Sequence, residues 1–417
     1  MVLGGGRHQI ELIKFAEEKG IEVVLSDYLP ESPGHKVASF PNLTSTLDFE
    51  ANLELAKKFN TIGVITSGTD QPLNIMAQIS EELKLPCYLT PDSAALCTNK
   101  KKMFSKLQES GCNLPKYTLI SLDSIDLQEL DKFQYPLIVK PIDSQGQRGI
   151  SILQDQNDLK KSIQLACSVS RDSQCIVQEY IQGPEITISA WVHEENVNIL
   201  LITDRVTYNK EEAVGVCFQH IYPSQLDSSL WDSAQQQANY IASAYSLKNG
   251  PLYIQCILNN NKIHIVEATC RIGGGHEDQL IKKITGINVY PLLLELATKG
   301  KLSSFPKIPS YPIEGKYGIV NFILANEGIF HDSNYEQDLI DGFIERGFIN
   351  GGLYYQLGHQ QTKIVNSLGR IGYFISTSDE SKAKLLANSA IIYDRIKVTN
   401  SEGQELTFWP AGKFLNQ

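Results

Sequence analysis

Tyr253-Ile-Gln255-Cys-Ile-Leu-Asn-Asn-Asn-Lys-Ile-His-Ile-Val-Glu267-Ala-Thr269-Cys-Arg271-Ile-Gly-Gly-Gly275 reads as two β-rich runs around an asparagine-rich turn, which predicts a hairpin. If the loop is Asn260, Asn261 and Lys262, Gln255 falls opposite Glu267, with their side chains ~5 Å apart on one face. Thr269 and Arg271 continue that face by the period of two. Four polar side chains aligned within apolar strands are costly unless something occupies them. A carboxamide, a carboxylate and a hydroxyl are oxygen donors of the kind Mg²⁺ takes alongside phosphate and water. A solvated hairpin face is the alternative.

Outward from the hairpin, the chain begins as strand, glycine turn and helix: Val2-Leu3, Gly4-Gly5-Gly6, then His8 to Lys19 with Ile10, Leu12, Ile13 and Phe15 as an apolar stripe and Gly20 as the stop. Further strands are expected over Ile21 to Leu25 and Thr61 to Thr66. The second runs through Ser67-Gly68-Thr69-Asp70 into a helix carrying Leu73, Met76, Ile79 and Leu83. Strands alternating with helices predict a parallel α/β unit over residues 1–95. An acid about twenty residues beyond a glycine turn invites a dinucleotide reading, but Gly4-x-Gly6-x-x-Gln9 lacks the third glycine of that fingerprint. A tight turn at the carboxyl edge of the sheet is the simpler reading.

A helix over Lys100 to Ser110 is followed mostly by strands: Tyr135 to Pro141, Gly149 to Leu153, Gln174 to Ile181, Glu185 to His193, Val197 to Thr203 and the two arms of the hairpin. A long helix is expected from Ser228 to Tyr245. Prolines from Phe305-Pro306 to Tyr311-Pro312 mark a linker into a last α/β piece with strands Gly318 to Leu324 and Gly369 to Ser376 and a helix from Asp379 to Arg395. The domain expectation is therefore 1–95, 96–305 and 306–417.

Composition narrows the function classes. Across 417 residues, 37 Lys and Arg against 47 Asp and Glu give a net charge of −10, which disfavours a nucleic-acid coat. No apolar run of ~18 residues and no leader-like N-terminus are evident, so the expectation is a cytoplasmic protein that does not engage membrane. Eight cysteines without a CxxC pair read as reduced, packed thiols.

Two further segments carry chemistry. Val139-Lys140-Pro141 leads into Ser144-Gln-Gly146-Gln147-Arg148-Gly149, where glycines let backbone N–H groups form an anion nest beside a lysine. The Walker order G-x-x-x-x-G-K-[ST] is absent. Gln178-Glu179-Tyr180-Ile181-Gln-Gly183-Pro184-Glu185 takes a strand into a Gly-Pro turn, with backbone suited to an adenine edge and a carboxylate suited to a ribose or metal. A solvated strand edge and an ordinary strand end are the plain alternatives.

In order, Asn99-Lys100, Lys140, the 144–149 loop, Gln178 to Glu185, Gln255 and Glu267-x-Thr269-x-Arg271 resemble the ATP-grasp superfamily. The resemblance implies mixed α/β and α+β architecture: a Rossmann-like N-terminal domain, an ATP-grasp core of two α+β subdomains and a small C-terminal α/β domain. It also implies a ligase that activates a carboxylate as an acyl phosphate for capture by an amine. By that resemblance Lys100 and Lys140 hold phosphates, Ser144, Gly146, Gln147 and Gly149 belong to the lid over them, and Glu179, Tyr180 and Ile181 take the adenine. Glu185 lies near the ribose. Glu267 bridges Mg²⁺, or Mn²⁺ in its place, with Gln255 and Thr269 in the other metal positions, and Arg271 holds the substrate carboxylate or acyl phosphate. The family commonly has Glu and Asn where this chain has Gln255 and Thr269, which implies less negative charge around the metal.

Arg271-Ile-Gly-Gly-Gly275-His276 and Phe218-Gln219-His220 are most similar to bacterial L-amino acid ligases and related carboxylate–amine ligases, placing His220 near the substrate. Purine-pathway, carbamoyl-phosphate and biotin-carboxylase-like enzymes are same-fold alternatives; the last is disfavoured because no Met-Lys-Met motif or carrier domain is present. A non-catalytic nucleotide sensor and, more remotely, a dehydrogenase are alternatives of another class. Expected partners are a small carboxylate, an amine and a second copy of the chain in a homodimer.

Overall fold

The computed structural model describes residues 1–123, 128–144, 148–208 and 215–410. The chain packs as two units: Met1–Leu114 with Thr187–Ile202 and Asp227–Tyr311, and Pro115–Ile186 with Thr203–Leu226 and the chain from Pro312 on. The division falls inside two strands, Glu185–His193 and Asn196–Tyr208.

In the first unit, strands Val2–Leu3, Val24–Ser26 and Phe40–Asn42 pair in parallel. The expected strand over 61–66 is reduced to a bridge at Ile65, whose oxygen accepts from Leu3 N at 2.9 Å. Gly63 lies so close to the helix Val289–Lys299 that a Cβ would fall 2.0 Å from the oxygen of Ala297. The glycine turn and the acid that followed it satisfy each other: Asp27 Oδ2 accepts from Gly5 N at 2.7 Å and Ser32 Oγ at 3.0 Å. Gln9 fills the space against Gly4 that a dinucleotide fingerprint leaves open.

The hairpin is present, Gly250–Asn259 with Lys262–Thr269, but its turn has two residues, Asn260 and Asn261, both left-handed at φ 49° and 54°. That turn alone sets a register in which Gln255 would face Val266. The register instead shifts between Gln255 and Cys256, leaving Val266 as the extra residue of a bulge, so Gln255 faces Glu267 and Tyr253 faces Thr269. The expected facing is found, through a bulge and not through a longer loop. Lys262–Thr269 is an edge strand, and neighbouring elements meet outer backbone groups at Ile265, at Ala268 and at Cys270 beyond it. Ala268 N donates to Met103 Sδ and Cys270 N to Cys97 Sγ, while Tyr245 and Tyr88 donate to the oxygens of Ala268 and Cys270. Met103 comes from the helix Lys100–Glu109, which Asn99 caps, and Cys97 from the helix Pro91–Thr98, which Thr90 caps. Helices Glu277–Thr285 and Val289–Lys299 were not expected, although Pro291, Glu295, Thr298 and Lys299 leave an outer stripe at helical spacing on the second.

The second unit holds a four-stranded antiparallel sheet in the order Tyr117–Ser121, Gln174–Glu179, Leu137–Pro141 and Ser151–Leu153. The helix Leu159–Val169 adds Ile163 and Cys167 to its core with Leu137, Val139 and Val177. The unit also contains Val216–Tyr222, antiparallel to the end of Asn196–Tyr208 and to Tyr317–Ala325. Arg370–Ser378 and Phe348–Leu353 follow, and Leu385, Ile392 and Tyr393 of the helix Lys382–Arg395 join the cores there. Tyr117–Ser121, Val216–Tyr222 and Leu159–Val169 escaped the sequence pattern; all seven residues of Val216–Tyr222 are buried, so no alternation betrays the strand. All eight cysteines are free thiols, as expected. No helix among the described residues is long and apolar enough to cross a membrane.

Candidate functional site

In the first unit the structure brings together Lys100, Gln255, Glu267, Thr269 and Arg271. Gln255 and Glu267 form a cross-strand pair, and Lys100 at the first position of its helix places Nζ 2.9 Å from Glu267 Oε1. Both side chains keep partial access to solvent. Thr269 is buried, and its hydroxyl oxygen has no hydrogen-bond partner among the described residues. A donor set of carboxamide, carboxylate and hydroxyl oxygens with one orphaned buried hydroxyl fits a hard divalent cation.

Arg271 lies two residues beyond the strand end and is 8% exposed. Its Nε donates to Asp70 Oδ1 at 2.7 Å, Nη2 to Asp70 Oδ2 at 3.3 Å and Nη1 to the Ile272 oxygen at 3.1 Å. The guanidinium carbon sits 4.7 Å from the centre of the Tyr253 ring. Burial opposes its charge, yet Asp70 more than offsets this and raises the pKa above the usual arginine value. The glycines after it are required by close approach: a Cβ on Gly273 would lie 2.6 Å from the Glu277 carboxylate, and one on Gly274 2.5 Å from the Gly68 oxygen. Glu277 is fully buried and accepts from Gly275 N at 2.6 Å. Asp278 accepts from Tyr290 Oη at 2.6 Å; burial, opposed by that bond and reinforced by Glu277, pushes it up to about 6. His276 is buried at φ 60°, its ring centre 5.1 Å from that of His8.

The second unit carries the remaining expected residues. Lys140 is buried within its strand, paired in register with Ile176, so it is not a solvated edge lysine. Ser144 and Gly149 flank the loop, Gly149 at φ +72° and packed against Pro141 and Val169. Gly146 and Gln147 lie outside the described residues. Glu179 N and Tyr180 N donate to the oxygens of Lys116 and Pro136, both at 2.9 Å, and Glu179 Oε1 accepts from Gln134 N at 3.1 Å. Ile181 follows directly, at the end of the strand Gln174–Glu179. Glu185 is ion-paired with Arg205, which also donates to the Gly215 oxygen at 2.9 Å. His220, 2% exposed, has Nδ1 3.4 Å from Thr203 Oγ1 and Nε2 3.2 Å from Cys217 Sγ. Burial would raise the Cys217 thiol, but His220, Arg205 and Arg370 together lower it below its ordinary value.

Sequence reasoning missed Asp70, Arg205, Cys217 and Glu277 as members of these clusters. Only Glu277 carried a local signal, an acid directly after Gly273-Gly274-Gly275-His276. Asp70 is 201 residues from its partner.

Residues 97–275 match the family model described as an ATP-grasp domain. The chain carries an ATP-grasp domain, in the mixed α/β fold expected of it. It is similar to the L-amino acid ligase from Bacillus licheniformis, with a TM-score of 0.80 and 21% identity over 96% of this chain and 98% of that one. It is also similar to the phosphoribosylglycinamide synthetase from Anaerococcus prevotii, with a TM-score of 0.74 and 21% identity over 96% and 98%. Multifunctional protein URA2 of Saccharomyces cerevisiae is 25% identical over 335 residues, 75% of this chain; the chain spans only 14% of the length of that relative.

Proposed function

We propose that the protein is an ATP- and Mg²⁺-dependent ligase that joins a small carboxylate, an amino acid being favoured, to an amine and releases ADP and phosphate. The observation that carries the reading is the face at the end of the hairpin, where Glu267, Gln255 and the orphaned Thr269 hydroxyl stand beside a buried arginine that donates two hydrogen bonds to Asp70. An oxygen of the substrate carboxylate attacks the γ-phosphorus, the bond to the β-phosphate oxygen breaks and ADP leaves. The amine nitrogen then attacks the acyl carbon, loses a proton and displaces phosphate. Glu267, Gln255 and Thr269 would hold Mg²⁺, which supplies positive charge against the transferring phosphoryl group.

Arg271 orients the carboxylate through its remaining N–H donors, a planar two-point contact. Lys100 and Lys140 supply point charges to the phosphates, with Ser144 and Gly149 beside them; Gly146 and Gln147, which the resemblance assigns to the same role, lie outside the described residues. The adenine is taken by the Glu179–Ile181 stretch, and the ribose lies near Glu185. His220, with both ring nitrogens near protein partners, acts from within its strand on the substrate side. The likeness to an L-amino acid ligase over nearly the whole chain supports an amino acid as the carboxylate. In this reading 1–95, 96–305 and 306–417 are the three functional domains. The test is a coupled ADP-release screen over pairs of amino acids, small organic acids and amines: ADP formed only when both substrates are present supports a ligase, and ATP binding without turnover across the panel refutes it.

A further inference from the structure

We infer that Asp70 is a positioning residue for Arg271: its carboxylate grips one side of the guanidinium so that the two N–H donors left over keep a single direction. The inference rests on the reading of Arg271 as the group that holds the substrate carboxylate. A guanidinium has five N–H donors. Three of them have acceptors here, two on Asp70 and one on the Ile272 oxygen, and the other two have none among the described residues. A long side chain placed beyond the end of a strand has no ladder to fix it, and its rotamers must be restricted by what it touches.

Asp70 is itself held firmly. It closes the loop after Ile65, and its oxygen accepts from Leu73 N at 3.0 Å at the start of the helix Pro72–Glu82. Earlier in the loop, Thr66 donates to the Leu3 oxygen at 2.7 Å and Gln9 donates to the Ser67 oxygen. Gly68 at φ +69° leaves no room for a side chain, since a Cβ would fall 2.3 Å from that of His8, and its oxygen abuts Gly274. The loop is thus clamped between the first glycine turn and the glycine run that follows Arg271. A two-oxygen grip from so rigid a base fixes the plane of the guanidinium, and the ring of Tyr253 lies against that group.

The experiment compares wild type, Asp70→Asn, Arg271→Lys and the double variant, all checked for folding by thermal unfolding. Two readouts are taken: steady-state ADP release, and NMR of ¹⁵N-arginine-labelled protein to follow rotation about the Arg271 Cζ–Nε bond. Expected for Asp70→Asn are a kcat lowered about 10- to 100-fold, a KM for ATP within about twofold of wild type, and a guanidinium that passes from slow to fast rotation. The double variant should be within about twofold of Arg271→Lys alone. Unchanged slow rotation, wild-type kcat in folded Asp70→Asn, or losses that multiply independently would each overturn the assignment. If wild type shows no turnover while Asp70→Asn still frees the guanidinium, the ligase reading fails and the positioning role stands.

Discussion

At the end of the hairpin in the first unit, buried or half-buried charges meet opposite charges: Lys100 with Glu267 and Arg271 with Asp70. Around His220 in the second unit the balance is different, because the imidazole, Arg205 and Arg370 all act on one buried thiol, while Arg205 is also ion-paired with Glu185. Opposite pairing fixes where a side chain points, since two planar groups that share two hydrogen bonds have little freedom left. Converging positive charge instead tunes a proton, drawing Cys217 toward its thiolate form. Buried polarity alone therefore does not mark a reacting group; the sign and geometry of its neighbours do.

The sharpest way to break that contrast is at Glu267. Glu267→Ala should lower turnover by about a thousandfold or more, some 4 kcal/mol of transition-state stabilisation, while thermal unfolding stays close to wild type because the side chain is partly exposed. ADP release at the wild-type rate would remove the metal role from this face. Next in size is a stability effect at Asp278, an acid of the first unit that meets a tyrosine hydroxyl where Glu267 and Asp70 meet a cation. Its folded pKa of about 6 lies above the ordinary 3.8, so the folded state binds the extra proton. That contribution is fully present below about pH 4 and is lost as pH rises through about 6, a change of order 3 kcal/mol. Urea unfolding of wild type and Asp278→Asn from pH 4 to 7 should show this slope in wild type only.

Arg271→Lys should cost about a hundredfold in kcat/KM for the carboxylate, roughly 2.7 kcal/mol, with ATP affinity little changed, because an ammonium cannot span both Asp70 and a substrate. Collapse of ATP affinity with kcat preserved would contradict it. The smallest effect is expected in the second unit: His220→Gln should lower turnover less than about tenfold, since the ring nitrogens lie near Thr203 and Cys217. A loss as large as that at Glu267 would erase the distinction between the two clusters.

Much of the architecture was legible in the chain, but unevenly. Glu185–His193 is the strand the pattern predicted, and Lys100–Glu109 and Lys382–Arg395 are the predicted helices to within a few residues. The strand Val216–Tyr222, buried along its whole length, was missed because periodicity reports only an interface between core and solvent. The facing of Gln255 and Glu267 was reached through a longer loop, whereas a bulge at Val266 produces it.

Sequence by itself determined that oxygen-bearing side chains recur with a period of two near the end of a strand, and that glycines follow them, because those facts depend only on local backbone geometry. Tertiary structure alone decided which charges those side chains meet. Asp70 and Arg271 are 201 positions apart and Lys100 and Glu267 are 167 apart. Nothing local in the chain constrains such distances; close packing of distant segments sets them, and with them the direction in which each charged group points.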